Sequence, residues 1–204
     1  MFRFFFDIDG VLLDFEGTYV PYIKNYFHLK IPDDYQPNCW YFSDLLTHDQ
    51  LMEGWEQFIA SKEFGQLSPM VDPELFNRVF GAYPVHFITN IPPENLEQRK
   101  QNLHSVGFQW DSLHSGGFVS FDDNPPVLKA DIIQQLAKDE EILVFIDDHP
   151  DNCVNVIEHF SDANVWLKSR PFNVEFTHPV IRRVDTWDEI IKFSHELIRE
   201  SVTN

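Results

Sequence analysis

Residues 2–8 read Phe-Arg-Phe-Phe-Phe-Asp-Ile, an apolar run that suits a short strand buried on both faces and that breaks on a carboxylate. The pattern predicts a strand over Phe2–Ile8, a loop through Gly17 and a helix over Thr18–His28. Between Leu29 and Gly81 the chain carries Pro32, Pro37, Pro69 and Pro73, several aromatics and short helical patterns such as Asp49–Phe64, with no strong strand candidate. That stretch reads as a small helical insertion. Alternation then resumes: strand Val85–Thr89, helix Pro93–Val106, strand Gly117–Phe121, helix Pro125–Lys138, strand Ile142–Ile146, helix Asp151–Phe160, strand Ala163–Leu167 and helix Trp187–Arg199. Strands alternating with helices of this length imply an α/β fold with a mostly parallel sheet covered on both faces.

Composition narrows the picture. A chain of 204 residues with 43% hydrophobic and 15% aromatic content can bury one well-packed domain plus an insertion, which excludes a disordered chain. No apolar run approaches the roughly 18–20 residues that cross a bilayer. Arg3 is followed by only three phenylalanines before Asp7, which is no signal-peptide pattern, so the expected address is the cytoplasm. Cys39 and Cys153 are too few and too far apart for a disulfide framework and are expected as free thiols. A net charge of −18 repels nucleic-acid polymers and anionic membranes; a small anion still binds where a local cation offsets the field.

The carboxylates cluster by position. Ligands of open parallel sheets bind beyond the carboxyl ends of the strands. Asp7 and Asp9 stand at the end of the first strand, Thr89 and Asn90 at the end of the second, and Asp147 and Asp148 at the end of the strand Ile142–Ile146. Taken singly, each is also a common turn or cap residue. Several carboxylates in one crevice repel one another unless a cation sits among them, and an all-oxygen donor set suits magnesium. Nine histidines show no zinc-ligand spacing, and His149 before Pro150 reads as a turn histidine.

The order Asp7-Ile8-Asp9-Gly10-Val11, then Thr89, Lys129 and Asp147-Asp148-His149-Pro150-Asp151, resembles the haloacid-dehalogenase superfamily of phosphatases over the whole core. The resemblance implies a three-layer Rossmann-like core, residues 1–16 and 82–204, with a helical cap at 17–81 inserted after the first strand. It implies a magnesium-dependent phosphomonoesterase whose substrate is a small phosphorylated metabolite. Asp7 would be the nucleophile that forms an aspartyl-phosphate, and Asp9 the general acid and then base. Thr89, Asn90 and Lys129 would hold the phosphate, Lys129 being preferred over Lys138 because its charge reaches the strand ends. Magnesium would be held by Asp7, Asp9 through its backbone carbonyl, Asp147, and Asp148 or Asp151, with Asp148 the nearer partner.

A looser likeness links the DIDGVLLDF and FITN segments to the pyrimidine 5′-deoxyribonucleotidase group, which implies a (deoxy)nucleoside monophosphate as substrate. Phe15, Trp40, Tyr41 and Phe42 would stack on a base, although the same rings suit the core of a small aromatic cap. Arg99 and Lys100 are expected to face away from the site. Dehalogenation would need neither magnesium nor Asp9. A signalling receiver domain places its acidic pair before the phosphorylated Asp, and a catalytically silent phosphate-binding module would carry a damaged motif.

Overall fold

The computed structural model describes residues 1–32, 35–39, 42–117, 127–138 and 141–203. Six parallel strands form one sheet, in the order β3-β2-β1-β4-β5-β6. These are β1 Phe2–Phe6, β2 Val85–Thr89, β3 Ser112–Ser115, β4 Ile142–Asp147, β5 Asn164–Lys168 and β6 Arg182–Val184. The seven helices of the described residues are α1 Phe15–Tyr26, α2 His48–Ile59, α3 Pro73–Phe80, α4 Leu96–Val106, α5 Lys129–Leu136, α6 Pro150–His159 and α7 Trp187–Thr203. The α/β Rossmann-like reading therefore holds, with two strands in unexpected places. The strand expected over Gly117–Phe121 is not the neighbour of β2; that is β3, and residues 118–121 lie outside the described residues, as do Pro125 and Pro126 of the helix that follows. β6 was not expected at all, because Arg-Arg-Val on a sheet edge carries no run of apolar residues.

The phenylalanine run works as a central strand. Phe2, Phe4 and Phe6 face one core and Phe5 the other, as the two-residue period of a strand requires. On the first face, Phe76 and Phe80 of α3, which the sequence assigns to the insertion, meet Phe4 and Phe6 with ring centroids 5.0–5.1 Å apart. Trp187 of α7 lies over Phe6 on the same side and donates its indole N–H to the Val11 carbonyl at 3.0 Å. The same core continues through Phe15 and Tyr19 of α1, Phe58 of α2 and Phe64. No helix of the described residues is long and apolar enough to cross a membrane. Both cysteines are free thiols; Cys153 is buried, which pushes its thiol well above the usual range.

One polar network crosses the bottom of the sheet. Arg3 pairs with Glu141 at 2.5 Å and donates to His86 Nε2 at 2.6 Å. Arginine has only donors, so Nε2 accepts and the ring proton sits on Nδ1, directed at the Ser112 hydroxyl 2.7 Å away. Burial, then the Arg3 charge, lowers the His86 pKa to about 4. The unfolded chain thus binds this proton first: the stability His86 contributes is complete above pH ~6.5 and is lost as pH falls toward 4. The melting-temperature advantage of the wild type over His86→Gln is expected to shrink across that window; an advantage constant with pH would contradict the neutral tautomer.

Candidate active site

The carboxyl ends of β2, β1 and β4 lie side by side at the point where strand order reverses, the usual crevice for a ligand in an open α/β sheet. Asp7 leaves β1 with its backbone N–H bonded to the Ile146 carbonyl at 2.8 Å. The chain then turns tightly: Val11, Leu12 and Leu13 all donate to the Ile8 carbonyl, and Gly10 takes φ +88°. A Cβ at Gly10 would lie 2.0 Å from Asp148 Oδ2, so the missing side chain is what lets the first and last acidic segments meet.

Lys129, the first residue of α5, is wholly buried and donates to Asp7 Oδ1 at 2.5 Å and to Asp147 Oδ2 at 2.7 Å. A cation at the start of a helix opposes the helix dipole, so this lysine is held there by the carboxylates rather than by local preference. Oxygens of Asp7, Asp147 and Asp148 come within 4.8 Å of one another. Two of these three buried carboxylates share one lysine, and the third, Asp148, has Arg170 Nε 4.0 Å away. Burial raises the Asp7 pKa to about 8, with the Asp147 carboxylate adding and Lys129 opposing. Burial and the neighbouring Asp7 and Asp147 also push Asp148 well up. Lys129 is shifted up as well: burial works against its charge, but Asp147 and Asp7 outweigh it. Such a cluster must hold protons or a cation. The buried Asp148 Oδ1 has no hydrogen-bond partner among the described residues, and together with the all-oxygen donor set this fits a divalent cation of the magnesium type.

Further residues frame the cluster. Thr89 is completely buried, and its hydroxyl oxygen has no hydrogen-bond partner among the described residues. Asn90 Oδ1 accepts from Asn152 Nδ2 at 3.3 Å, and the same Nδ2 donates to Asp147 Oδ2 at 3.1 Å. Asn173 Nδ2 donates to the backbone carbonyls of Asp148 and Lys168, which fixes the loop after β4 to the end of β5. Arg170 pairs with Glu16 at the entrance to the insertion, and its Nε lies 4.0 Å from Asp148 Oδ2. Asp151 is exposed in the first turn of α6, outside the cluster, and its N–H donates to His149 Nδ1 at 3.3 Å. His149 is the N-cap of α6, as its place before Pro150 suggested.

Asp9 stands apart from the other acids. Its side chain turns to Arg99, whose Nη2 lies 3.1 Å from Oδ1 and 3.2 Å from Oδ2. Burial raises the Asp9 pKa, and Arg99 pulls against the rise. The expectation that Arg99 faces away is therefore wrong: α4 begins at Leu96, so Arg99 lies in its first turn, on the buried face with Asn102 and Leu103. Lys100, next in sequence, does point outward and pairs with Glu97. Asn152, Asn173 and Arg170 were also missed. The one signal for Asn152 was its place in the first helical turn after the Asp147-Asp148 pair.

A cavity of about 20 Å³ opens between Asp9, Gly10 and Asp148 on one side and Phe15, Glu16 and Phe42 on the other. Phe15 and Phe42 also pack into the insertion's aromatic cluster through Tyr19, while Trp40 and Tyr41 lie outside the described residues.

No family model and no curated protein matches the chain. Solved structures do. A haloacid dehalogenase-like hydrolase from Streptococcus pneumoniae is 18% identical with a TM-score of 0.57, over 95% of this chain and 98% of that one. A HAD-superfamily hydrolase of subfamily IA from Geobacter sulfurreducens is 14% identical with a TM-score of 0.59, over 95% and 96%. A mutant CbbY from Rhodobacter sphaeroides, in complex with xylulose-1,5-bisphosphate, is 12% identical with a TM-score of 0.51, over 92% and 95%. At these identities the likeness establishes the fold, which is haloacid dehalogenase-like.

Proposed function

We propose that the protein is a magnesium-dependent phosphomonoesterase that works through an aspartyl-phosphate on Asp7. The observation that carries this reading is the buried Asp7–Lys129–Asp147 group at three adjoining strand ends, with Thr89 Oγ1 and Asp148 Oδ1 left without hydrogen bonds beside it. Asp7, Asp147 and Asp148 would hold the metal, together with the Asp9 backbone carbonyl. Bound there, magnesium supplies the positive charge that keeps Asp7 ionised and offsets the charge on the transferring phosphoryl oxygens.

The chain's own groups account for the rest. An Asp7 carboxylate oxygen forms a bond to phosphorus while the bond to the leaving oxygen breaks, and that oxygen takes the proton of Asp9. Asp9, now a carboxylate, takes a proton from a water whose oxygen attacks the same phosphorus, breaking the bond to Asp7 and releasing inorganic phosphate. Thr89 donates its hydroxyl to a phosphoryl oxygen, the Asn90 backbone N–H assists, and Lys129 stays beside the nucleophile as fixed positive charge.

The insertion serves as a cap in this scheme. A 20 Å³ cavity holds about one water, far less than a phosphate ester, so substrate enters only when residues around Phe15 and Phe42 withdraw. Glu16, which lines the cavity, is paired with Arg170. Substrates are small phosphomonoesters, nucleoside and deoxynucleoside monophosphates among them, with Phe15, Phe42 and Phe172 as the rings that line the cavity. The strongly acidic chain disfavours multiply phosphorylated sugars and nucleic-acid polymers.

The test is phosphate release from a panel of nucleotide, sugar and aryl monophosphates, with magnesium and with chelator. Release that requires magnesium is expected. Folded protein that binds magnesium and releases phosphate from no member of the panel would point instead to a silent binding module.

A further inference from the structure

Among the described residues Arg99 is the largest fully buried side chain, and its bonds run in two directions. Nη2 reaches both carboxylate oxygens of Asp9, at 3.1 and 3.2 Å. Nη1 donates to the Phe64 carbonyl at 2.8 Å and to Asn102 Oδ1 at 3.0 Å. The guanidinium lies over the Phe64 ring, 4.2 Å from its centroid. Asn102 in turn bonds both the N–H and the carbonyl of Leu67, each at 3.0 Å. Arg99 is thereby fixed by a ring, a carbonyl and an amide of the 64–67 segment and α4, and presents one edge to a single acid of the site.

From this geometry we infer that Arg99 is the positioning residue of Asp9. It sets the direction in which that carboxyl faces the reacting oxygen and anchors this direction in the 64–67 segment of the insertion. The inference rests on the phosphatase reading above. A planar fork with several donors can hold Phe64, Asn102 and Asp9 together; a lysine ammonium, a point charge on a flexible stem, cannot hold the same three directions. The same bond also supplies the counter-charge that a buried guanidinium needs, so Arg99 serves the fold as well as the direction of Asp9.

The two roles separate by leaving group. Nitrophenolate departs without a proton, whereas an alkyl alkoxide needs one, so a misdirected general acid slows alkyl esters selectively and a loosened fold slows both. The experiment compares kcat on glycerol 2-phosphate and p-nitrophenyl phosphate for wild type, Asp9→Asn, Arg99→Lys and Phe64→Leu. Asp9→Asn sets the full size of the split. Arg99→Lys is expected to lose about tenfold more on the alkyl than on the aryl ester, a part of what general acid catalysis supplies. Phe64→Leu, which removes the ring beneath the guanidinium, shows a smaller split in the same direction and carries the comparison if Arg99→Lys does not fold. Equal losses on both esters in Arg99→Lys and Phe64→Leu, while Asp9→Asn splits them, overturn the inference and leave the phosphatase reading intact. An Asp9→Asn variant without a split removes the role of Asp9, and a wild type that hydrolyses neither ester removes the phosphatase reading; the inference falls with either.

Discussion

Asp7→Asn is expected to abolish phosphate release and at the same time to make the metal-free protein more stable. Activity is lost because the amide is not a nucleophile toward phosphorus, so the loss is that of the whole chemical step rather than of one contact. Stability moves the other way. The folded pKa of Asp7 is raised from 3.8 to about 8, chiefly by burial, so the folded protein holds a proton that the unfolded chain has released. The stability that Asp7 allows is complete at low pH and is lost as pH rises from about 4 through 8. The asparagine keeps an oxygen to accept from Lys129 and has no proton to lose. In chelator, its advantage over wild type should grow by up to about 1.4 kcal/mol per pH unit between pH 5 and 8 and then level off. Denaturant unfolding at three pH values measures it; a variant no more stable than wild type at pH 8 would show that Lys129 already balances the site.

Lys129→Met is expected to be the most damaging single change to the fold. The thioether fills the volume but leaves Asp7 and Asp147 buried without the ammonium 2.5 and 2.7 Å away. Removing one partner of a buried charge group costs about 3–5 kcal/mol, because the remaining charges stay desolvated. The loss is smaller at pH 5 than at pH 8, since Asp7, whose pKa burial raises to about 8, is then protonated. Added magnesium restores more stability to the variant than to wild type, because a cation among the acids replaces part of the missing charge. Turnover stays at least ~100-fold down, as for loss of a fixed donor at a developing charge. Thermal unfolding of both proteins with and without magnesium decides the matter, and equal midpoints at pH 8 in chelator would contradict it.

The parts of this site that could be read from sequence are those that interrupt apolar strands. A carboxylate after Phe6 or Ile146 breaks a run that is otherwise buried on both faces, and a strand end is a place the fold reserves for ligands. β1, β2 and β4 were visible for the same reason. β3 and β6 were not: Ser-Leu-His-Ser and Arg-Arg-Val lie on the edges, where a strand needs neighbours more than hydrophobicity. Arg99 and Asn102 mislead more deeply, since α4 turns a polar pair inward and its buried face looks like a solvated one. Their burial follows from the carbonyls of Phe64 and Leu67 and the carboxylate of Asp9, three partners that only the tertiary structure brings within reach.

The position of β1 also sets the order of events during synthesis. It is the centre of the sheet, yet it leaves the ribosome before the other five strands, and its two neighbours begin only at Val85 and Ile142. At about 5–20 residues per second, Phe2–Phe6 waits roughly ten seconds for β4. Until β2 emerges, four phenylalanines in five residues have no strand to join, and until β4 emerges one edge of β1 stays open, a segment of the kind that pairs with other chains when left exposed. Yield from a cell should therefore depend on chaperone capacity and translation rate more than on the stability of the finished protein.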